Sequence, residues 1–262
     1  MSQTFRLPEI VEIARREKKV TVEDLAARFG VTLQTIRRDL TELAESGRLE
    51  RVHGGAVMPS RTVNLGYEER RDLNAEAKTG IAAACAAEIP NDCSVFLNIG
   101  TSTEAVAEAL LDHENLLVVT NNMNVGNILG QNANFTVIVT GGQLRRSDGG
   151  LIGDLATNTI RHFKFDVGVI GCSALDVEGD IMDYDLQEVG VSQAILHQSR
   201  QSFLVADHSK FARSAPARIA GLSEIDMFFT DYPLPETLQA RCRDWGTDVR
   251  VSRPDGAGDI RV

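Results

Sequence analysis

Residues 20–56 read VTVEDLAARFGVTLQTIRRDLTELAESGRLERVHGGA, and this stretch decides the fold of the first part of the chain. Apolar residues recur along it at helical spacing in two runs, and the second run is formed by Leu33, Ile36, Leu40 and Leu43. Thr21 and Thr32 precede the two runs as N-cap residues, and Gly30 stands where the first helix needs a left-handed residue to end. Two helices joined by a short turn that contains glycine are typical of a helix-turn-helix motif.

A further helix and a hairpin flank this pair. An earlier helix is predicted from apolar residues that share one face, namely Leu7, Ile10, Ile13 and Ala14. Residues 49–57 predict two short strands around a turn at Gly54-Gly55. The order of helices and hairpin therefore predicts a winged helix-turn-helix domain over residues 5–60.

The second helix of such a motif enters the major groove of DNA with its N-terminal residues near the base edges. We expect Leu33, Ile36 and Leu40 to face the core, which leaves the polar side chains of this helix outside. The predicted DNA-binding residues are Gln34, Thr35, Arg37, Arg38, Arg51 and His53. Glutamine suits adenine, and arginine suits guanine or phosphate. The alternative is that Arg37 and Arg38 belong to a solvated helix face and pair with Asp39 and Glu42.

The charge of the chain is distributed unevenly. The net charge of the 262 residues is −10, which by itself argues against nucleic-acid binding. Residues 1–61, however, hold 11 Lys and Arg against 9 Asp and Glu, whereas residues 62–262 hold 16 against 28. A small, mildly basic module joined to an acidic body favours a DNA-binding domain attached to a domain with another task.

The pattern changes after a polar stretch that we interpret as a linker over residues 61–74. Short apolar runs alternate with helical patterns and predict the strands 94–99, 116–120, 135–140, 165–171, 202–206, 227–230 and 247–251. Such alternation predicts an α/β domain with a mostly parallel sheet covered on both faces. We expect this larger domain to span residues 75–240, followed by a C-terminal extension over residues 241–262.

Some functions are disfavoured by composition. There is no apolar run of 18 residues, and charged residues interrupt the N-terminus, so we expect no membrane contact and a cytoplasmic location. The four cysteines are dispersed and lie at no metal-ligand spacing, which favours packing roles. The sequence predicts neither a metal nor a cofactor.

Residues that follow the predicted strands form a candidate ligand site. The loop Gly100-Thr101-Ser102-Thr103 follows a strand and opens a helix, where N–H groups and the helix dipole favour a phosphate. An equally open alternative is that Ser102 or Thr103 merely caps that helix. Ligands of parallel sheets bind at the carboxyl ends of strands, which places Lys210 on the same rim. The further predicted pocket residues are Asn121, Asn122, Gly141, Gly142 and Asp183.

The chain resembles the DeoR family of transcriptional repressors. In the first domain the resemblance lies in residues 20–26 (VTVEDLA), 35–40 (TIRRDL) and 51–56 (RVHGGA). In the second it lies in residues 98–107 (NIGTSTEAVA), 119–125 (VTNNMNV), 148–153 (DGGLIG) and 207–211 (DHSKF), and it continues to about Leu238. The arginine-containing tail from Arg250 to Val262 departs from the pattern.

The resemblance implies a sensor domain similar to ribose-5-phosphate isomerase and to sugar-phosphate deaminases. It implies that Gly100, Thr101, Ser102 and Thr103 hold a phosphate with help from Lys210. The loop is one residue shorter than that of the enzymes, and their catalytic Asp-Gly-Ala-Asp and Lys-Gly-Gly-Gly segments have no clear counterpart. The resemblance therefore implies a sensor and not an enzyme.

It further implies operator DNA and a phosphorylated small molecule as partners. Glycerol 3-phosphate is the effector that the resemblance suggests, in a homodimer or homotetramer. Two alternatives stay open. One is a repressor that responds to another sugar phosphate. The other is an isomerase-like enzyme in which Asp183, Asp185 or Glu188 is a general base, although the start of an acidic helix is the expected role of these three.

Overall fold

A computed structural model describes residues 3–17, 19–45, 48–58 and 65–252. The N-terminal domain contains α1 (Gln3–Glu17), β1 (Lys19–Thr21), α2 (Val22–Phe29), α3 (Leu33–Glu45), β2 (Glu50–Val52) and β3 (Gly55–Val57). Gly47, at which the sequence predicts the end of α3, lies outside the described residues.

The predicted caps of the two paired helices are confirmed. The Thr21 hydroxyl accepts a hydrogen bond from the amide of Asp24 at 3.1 Å, and Gly30 ends α2 with a φ of 63°. The Thr32 hydroxyl accepts from the amide of Thr35 at 3.2 Å at the start of α3. These caps fix the start of both helices and the end of α2, so local interactions determine the turn between α2 and α3.

The N-terminal domain differs from its prediction in three details. Strand β3 pairs with β2 and also with β1, which was not predicted, so the hairpin belongs to a three-stranded antiparallel sheet. The turn is His53-Gly54, and Gly55 is already the first residue of β3. Leu33 was expected in the core but has 42% of its surface exposed.

An ion pair lies inside this domain. The Arg6 guanidinium donates two hydrogen bonds to the Asp39 carboxylate, at 2.5 and 3.1 Å, and both side chains are buried. Arg6 is on α1 and Asp39 is on the inner face of α3. The pair therefore joins the first helix to the candidate recognition helix.

The second domain is larger. Its helices are α4 (Tyr67–Asp72), α5 (Ala75–Ala87), α6 (Thr101–Ala109), α7 (Met123–Leu129), α8 (Asp154–Ile160), α9 (Leu186–Gln198) and α10 (Glu236–Trp245). Its strands are β4 (Ser94–Leu97), β5 (Leu117–Thr120), β6 (Thr136–Val139), β7 (Gln143–Arg145), β8 (Gly150–Ile152), β9 (Phe165–Ile170), β10 (Ala174–Leu175), β11 (Asp180–Asp183), β12 (Ser199–Val205), β13 (Ala217–Gly221), β14 (Met227–Thr230) and β15 (Asp248–Val251). Residues 208–212 and 222–224 form 3₁₀ turns.

All seven predicted strands belong to one parallel sheet of order β15-β14-β12-β9-β4-β5-β6. Alternate residues of β4 point to opposite faces: Phe96 packs in one core cluster, whereas Val95 and Leu97 pack in another. Helices α5, α6 and α7 cover one of these clusters, and α8, α9 and α10 cover the other. The fold class is therefore confirmed as a winged helix-turn-helix followed by a parallel α/β domain.

The domain borders need adjustment. Helix α4 lies within the segment that we interpreted as a linker, and α10 crosses the predicted border at residue 240. Strand β15 pairs with β14, so the sheet continues into the predicted C-terminal extension. None of the helices in the described ranges has the length and apolar character that spanning a bilayer requires.

Candidate functional site

The outer flank of α3 is polar and accessible. Gln34, Arg37 and Arg38 are exposed, whereas Thr35 is half-buried and its hydroxyl lies 2.9 Å from that of Thr32. The predicted polar flank therefore forms.

The two arginines of this flank are not neutralised locally. Neither Arg37 nor Arg38 forms an ion pair with a residue in the described ranges, and Asp39 is occupied by Arg6. The alternative in which Asp39 pairs with these arginines is therefore contradicted. An exposed pair of cations on the flank of a recognition helix has the chemistry needed to contact the phosphates or bases of a duplex.

The wing presents two further polar side chains. Arg51 on β2 and His53 in the hairpin turn are both exposed. Gly54 adopts a φ of 77° in this turn, a conformation that favours glycine. The turn thus holds Arg51 and His53 on the same protruding hairpin.

A cavity in the second domain lies where the order of the sheet reverses. From β4 the chain adds β5 and β6 on one side, and from β9 it adds β12, β14 and β15 on the other. The loops that follow β4 and β9, together with Lys210 after β12, meet at this point. The cavity is lined by Arg70, Ile99, Gly100, Thr101, Ser102, Gly171, Cys172, Ser173, Asp183, Glu188 and Lys210. Crevices at such switch points are the usual ligand sites of parallel sheets.

The loop Gly100–Thr103 supplies unpaired donors to this cavity. The first hydrogen bond within α6 runs from the amide of Glu104 to the carbonyl of Gly100 at 3.0 Å, so the amides of the preceding residues have no acceptor in the helix. Gly100 has a φ of 135°, which only glycine adopts readily. The Thr103 hydroxyl donates to the carbonyls of Asn98 and Gly100, so Thr103 stabilises the loop itself.

Lys210 places a cation beside the loop. Its side chain is buried, and its ammonium forms no hydrogen bond to a residue in the described parts of the chain. Burial lowers the pKa of Lys210, while the charge of Asp207 acts in the opposite direction. The Asp207 carboxylate accepts hydrogen bonds from the Ser209 amide at 3.0 Å and the Asn74 amide group at 2.8 Å. An ammonium that borders the cavity and forms no hydrogen bond to a described residue can accept an anionic ligand as a point charge.

Carboxylates line the opposite side of the cavity. Burial and the negative charge of Asp183 raise the pKa of Glu188 to about 7, although Arg145 donates a hydrogen bond to it at 2.7 Å. The Ser173 hydroxyl donates to Asp183 at 2.9 Å. Asp185 caps α9, as expected for the start of an acidic helix. The described residues contain no cluster of three or more His, Cys, Asp or Glu suited to a metal.

Two family profiles account for most of the chain. The DeoR-like helix-turn-helix domain matches residues 6–62, and the DeoR C terminal sensor domain matches residues 73–232. The chain is 44% identical to the glycerol-3-phosphate regulon repressor of Escherichia coli K12 over 238 residues, which is 91% of this chain and 94% of that repressor. It is 45% identical to the Haemophilus influenzae repressor of the same name over 230 residues, which is 88% of this chain and 90% of that repressor.

The chain belongs to the DeoR family. It is accordingly a DeoR-type transcriptional repressor and not an enzyme. Among solved structures, it is similar to ribose 5-phosphate isomerase from Plasmodium falciparum with a TM-score of 0.38 and 11% identity, over 52% of each chain. Similarity at that level supports no inference about function.

Four of the five predicted pocket residues of this DeoR-family chain do not line the cavity. The Asn122 side chain caps α7 and donates to Glu104 at 3.1 Å, and the Asn121 side chain donates to the carbonyl of Leu151 at 3.2 Å. Gly141 packs against Leu155, and Gly142 lies against the backbone of Ile152. Only Asp183 of this set borders the cavity.

Arg70 is a cavity residue that sequence reasoning missed. It lies on α4, in the segment interpreted as a linker, within a run of acidic and basic residues that does not distinguish it from its neighbours. No local pattern could have identified it, because its position at the cavity depends on how α4 packs against α6.

Proposed function

We propose that operator binding by this DeoR-type repressor is controlled by a phosphorylated small metabolite, with glycerol 3-phosphate as the effector. The observation that carries the proposal is the Lys210 side chain, which lies largely buried at the cavity beside the donors of the Gly100–Ser102 loop and whose ammonium forms no hydrogen bond to a described residue. A phosphate would receive hydrogen bonds from the loop amides and neutralise Lys210. Glycerol 3-phosphate is chosen because the 44% identical relative carries that compound in its name.

We propose that α3 lies in the major groove of the operator. In this arrangement Gln34, Thr35, Arg37 and Arg38 contact bases or phosphates, and Arg51 and His53 steady the wing against the backbone. The exposure of the arginines and their lack of an ion pair in the described residues support this assignment.

We propose that the segment 207–213 transmits the signal between the domains. It carries Lys210 at the cavity, and the His208 ring lies 3.1 Å from the carbonyl of Glu45, the last residue of α3. A phosphate that repositions Lys210 therefore acts on a segment that contacts the recognition helix. The effector alters operator affinity only if it binds the two protein conformations with different affinity.

We propose that the protein acts in the cytoplasm as a homodimer or homotetramer. The N-terminal domain has few excess basic residues, so one copy offers limited attraction to DNA, and two copies on adjacent half-sites add avidity. Light scattering at the concentration that saturates an operator should report a mass of at least two chains. A single-chain mass under those conditions would contradict this part of the proposal.

Operator release tests the proposal directly. A duplex selected from a random library with the immobilised protein serves as the operator, and binding is followed by fluorescence anisotropy at one stated salt concentration. We expect glycerol 3-phosphate to weaken binding by the wild type and to have little effect on Lys210→Met. The matched control is Lys164→Met, since Lys164 is exposed and distant from the cavity.

A panel of phosphorylated metabolites tests the identity of the effector. The true effector should raise the melting temperature of the wild type markedly more than the other compounds do. If another sugar phosphate does so and glycerol 3-phosphate does not, the assigned effector is wrong while the phosphate site stands. If no phosphorylated compound changes either readout, the phosphate site itself is wrong.

A further inference from the structure

Arg70 reaches the cavity from α4 with part of its guanidinium unoccupied. Its Nη2 donates to the Asp148 carboxylate at 3.1 Å, whereas its Nε is buried and has no hydrogen-bond partner in the structure. A buried donor without a partner is uncommon in folded proteins and calls for an acceptor. Lys210 and the Gly100–Ser102 loop line the same cavity.

The contact between Arg70 and Asp148 is replaceable. Arg145 holds both oxygens of the same carboxylate, through hydrogen bonds of 2.9 Å from Nε and 2.7 Å from Nη2. Burial would raise the pKa of Asp148, but the hydrogen bonds and charge of Arg145 outweigh it and lower that pKa. Asp148 would therefore remain ionised and paired if Arg70 turned away from it.

The backbone of Arg70 is fixed beside the phosphate loop. Its carbonyl accepts hydrogen bonds from the Thr101 hydroxyl at 3.3 Å and from the Lys78 ammonium, which also binds the carbonyl of Leu73. The Lys78 ammonium is therefore already hydrogen-bonded to carbonyl groups at the end of α4. These hydrogen bonds hold the Arg70 backbone against α6. The guanidinium can therefore reach a new partner by rotation of the side chain alone.

Two guanidinium groups act on the Lys210 ammonium. Burial is the largest cause that lowers the pKa of Lys210; the charge of Asp207 raises that pKa, and the positive charges of Arg213 and Arg70 lower it further. Cations that repel one another inside a protein are stabilised when an anion binds among them. A guanidinium can donate two parallel hydrogen bonds to a phosphate, which an ammonium cannot.

We propose that Arg70 is an effector-binding residue, whose guanidinium leaves Asp148 to Arg145 and binds the phosphate held by the Gly100–Ser102 loop and Lys210. The inference rests on the proposed function, which it deepens by assigning a second cation to the effector. It restricts the ligand class to molecules that carry a phosphate group and disfavours the uncharged polyol. It also links the ligand to α4, the first helix after the N-terminal domain.

Calorimetric titration of the full chain tests this assignment with two probes, glycerol 3-phosphate and inorganic phosphate. Loss of a charge-assisted bidentate contact should weaken binding of both probes by about 10- to 100-fold in Arg70→Gln. Arg70→Lys keeps the positive charge but cannot donate two parallel hydrogen bonds, so we expect it to lose less affinity than Arg70→Gln. The matched control is Arg71→Gln, since the Arg71 side chain is exposed on the same helix and should leave both affinities unchanged.

A variant with the opposite sign separates ligand binding from a structural role. Asp148→Asn removes the charge that competes for Arg70, so phosphate should bind severalfold more tightly than to the wild type. If Arg70→Gln melts like the wild type and binds both probes with wild-type affinity, the proposal is overturned. If Arg70→Gln fails to fold, the decision rests on Asp148→Asn. Phosphate binding by Asp148→Asn that is equal to or weaker than that of the wild type then overturns the proposal.

The two proposals fail in different ways. If the wild type binds inorganic phosphate but not glycerol 3-phosphate, the assigned effector is wrong, and the phosphate affinities of the variants still decide the role of Arg70. If the wild type binds glycerol 3-phosphate and Arg70→Gln binds it equally well, only the role of Arg70 is wrong.

Discussion

At the scale of single residues, the arginine pair of α3 carries the clearest prediction. Arg37 and Arg38 are exposed and have no ion pair with a described residue, so in the proposed arrangement their replacement would remove contacts to DNA without breaking an internal one. We expect Arg37→Ala/Arg38→Ala to weaken operator binding by at least about 10-fold. If both contact phosphates, the slope of log affinity against log salt should fall by about 2.

The control for this pair is an arginine outside the N-terminal domain. Arg161 is exposed at the end of α8, and its alanine variant should keep both the operator affinity and the salt slope of the wild type. Anisotropy titrations at three or more salt concentrations measure both quantities. Unchanged operator affinity of the double variant would refute the assignment of α3 as the recognition helix.

The buried pair of Arg6 and Asp39 predicts a stability effect of a different kind. Arg6→Met leaves the Asp39 carboxylate buried without its main partner, and such a loss costs about 3–5 kcal/mol of unfolding free energy. Replacing both partners, as in Arg6→Met/Asp39→Leu, should recover most of that loss. Urea denaturation of the single and double variants measures the difference. Equal destabilisation by both variants would contradict this account.

At the scale of elements, the two wing glycines should respond differently to substitution. A Cβ on Gly55 would lie 1.9 Å from the carbonyl of Val20 on the neighbouring strand, whereas a Cβ on Gly54 meets nothing within 4 Å. Gly54→Ala should therefore destabilise the domain only through the strain of an alanine at a positive φ, which is about 1–2 kcal/mol. Gly55→Ala must separate β1 from β3 and should destabilise the domain more than Gly54→Ala does. Thermal melting decides the order, and the reverse order would contradict the described sheet.

The sequence predicts elements well where one local rule dominates. The runs that became β4 and β5 are almost entirely apolar because both of their faces are buried, and such runs are recognisable without a structure. Strand β7 was missed because Gln143 and Arg145 carry no such signal. Leu33 was misplaced because helical periodicity does not reveal whether another element covers a given apolar position.

The candidate site was also predictable only in part, because local sequence rules locate residues that follow strands but not residues that are placed by packing. The Gly100–Thr103 loop and Lys210 follow strands, so the rule for strand ends located them. The same rule selected Asn121 and Gly141, but these follow β5 and β6, on the far side of β4 from β9. Arg70 depends on the packing of α4, which no local pattern encodes.

At the scale of the whole molecule, a histidine connects the two domains. The His208 ring lies 2.5 Å from the carboxylate of Asp231 through Nδ1 and 3.1 Å from the carbonyl of Glu45 through Nε2. The hydrogen bond to Asp231, together with the charges of Asp231 and Asp207, raises the pKa of His208 to about 8, although burial opposes this. Only the protonated ring donates to both acceptors at once.

The stabilisation by His208 should therefore depend on pH. Because its folded pKa lies above the ordinary value near 6.5, the contribution is fully present below about pH 6.5 and is lost as pH rises through about 8. About a third of the side chain is exposed, so screening limits the contribution to about 1 kcal/mol. We expect His208→Gln to lower the free energy of unfolding by that amount at pH 6 and by almost nothing at pH 9. Urea titrations measure both values, with His162→Gln, an exposed histidine on the sensor domain, as the control. A pH-independent difference between wild type and His208→Gln would show that the charge of this ring does not hold the domains together.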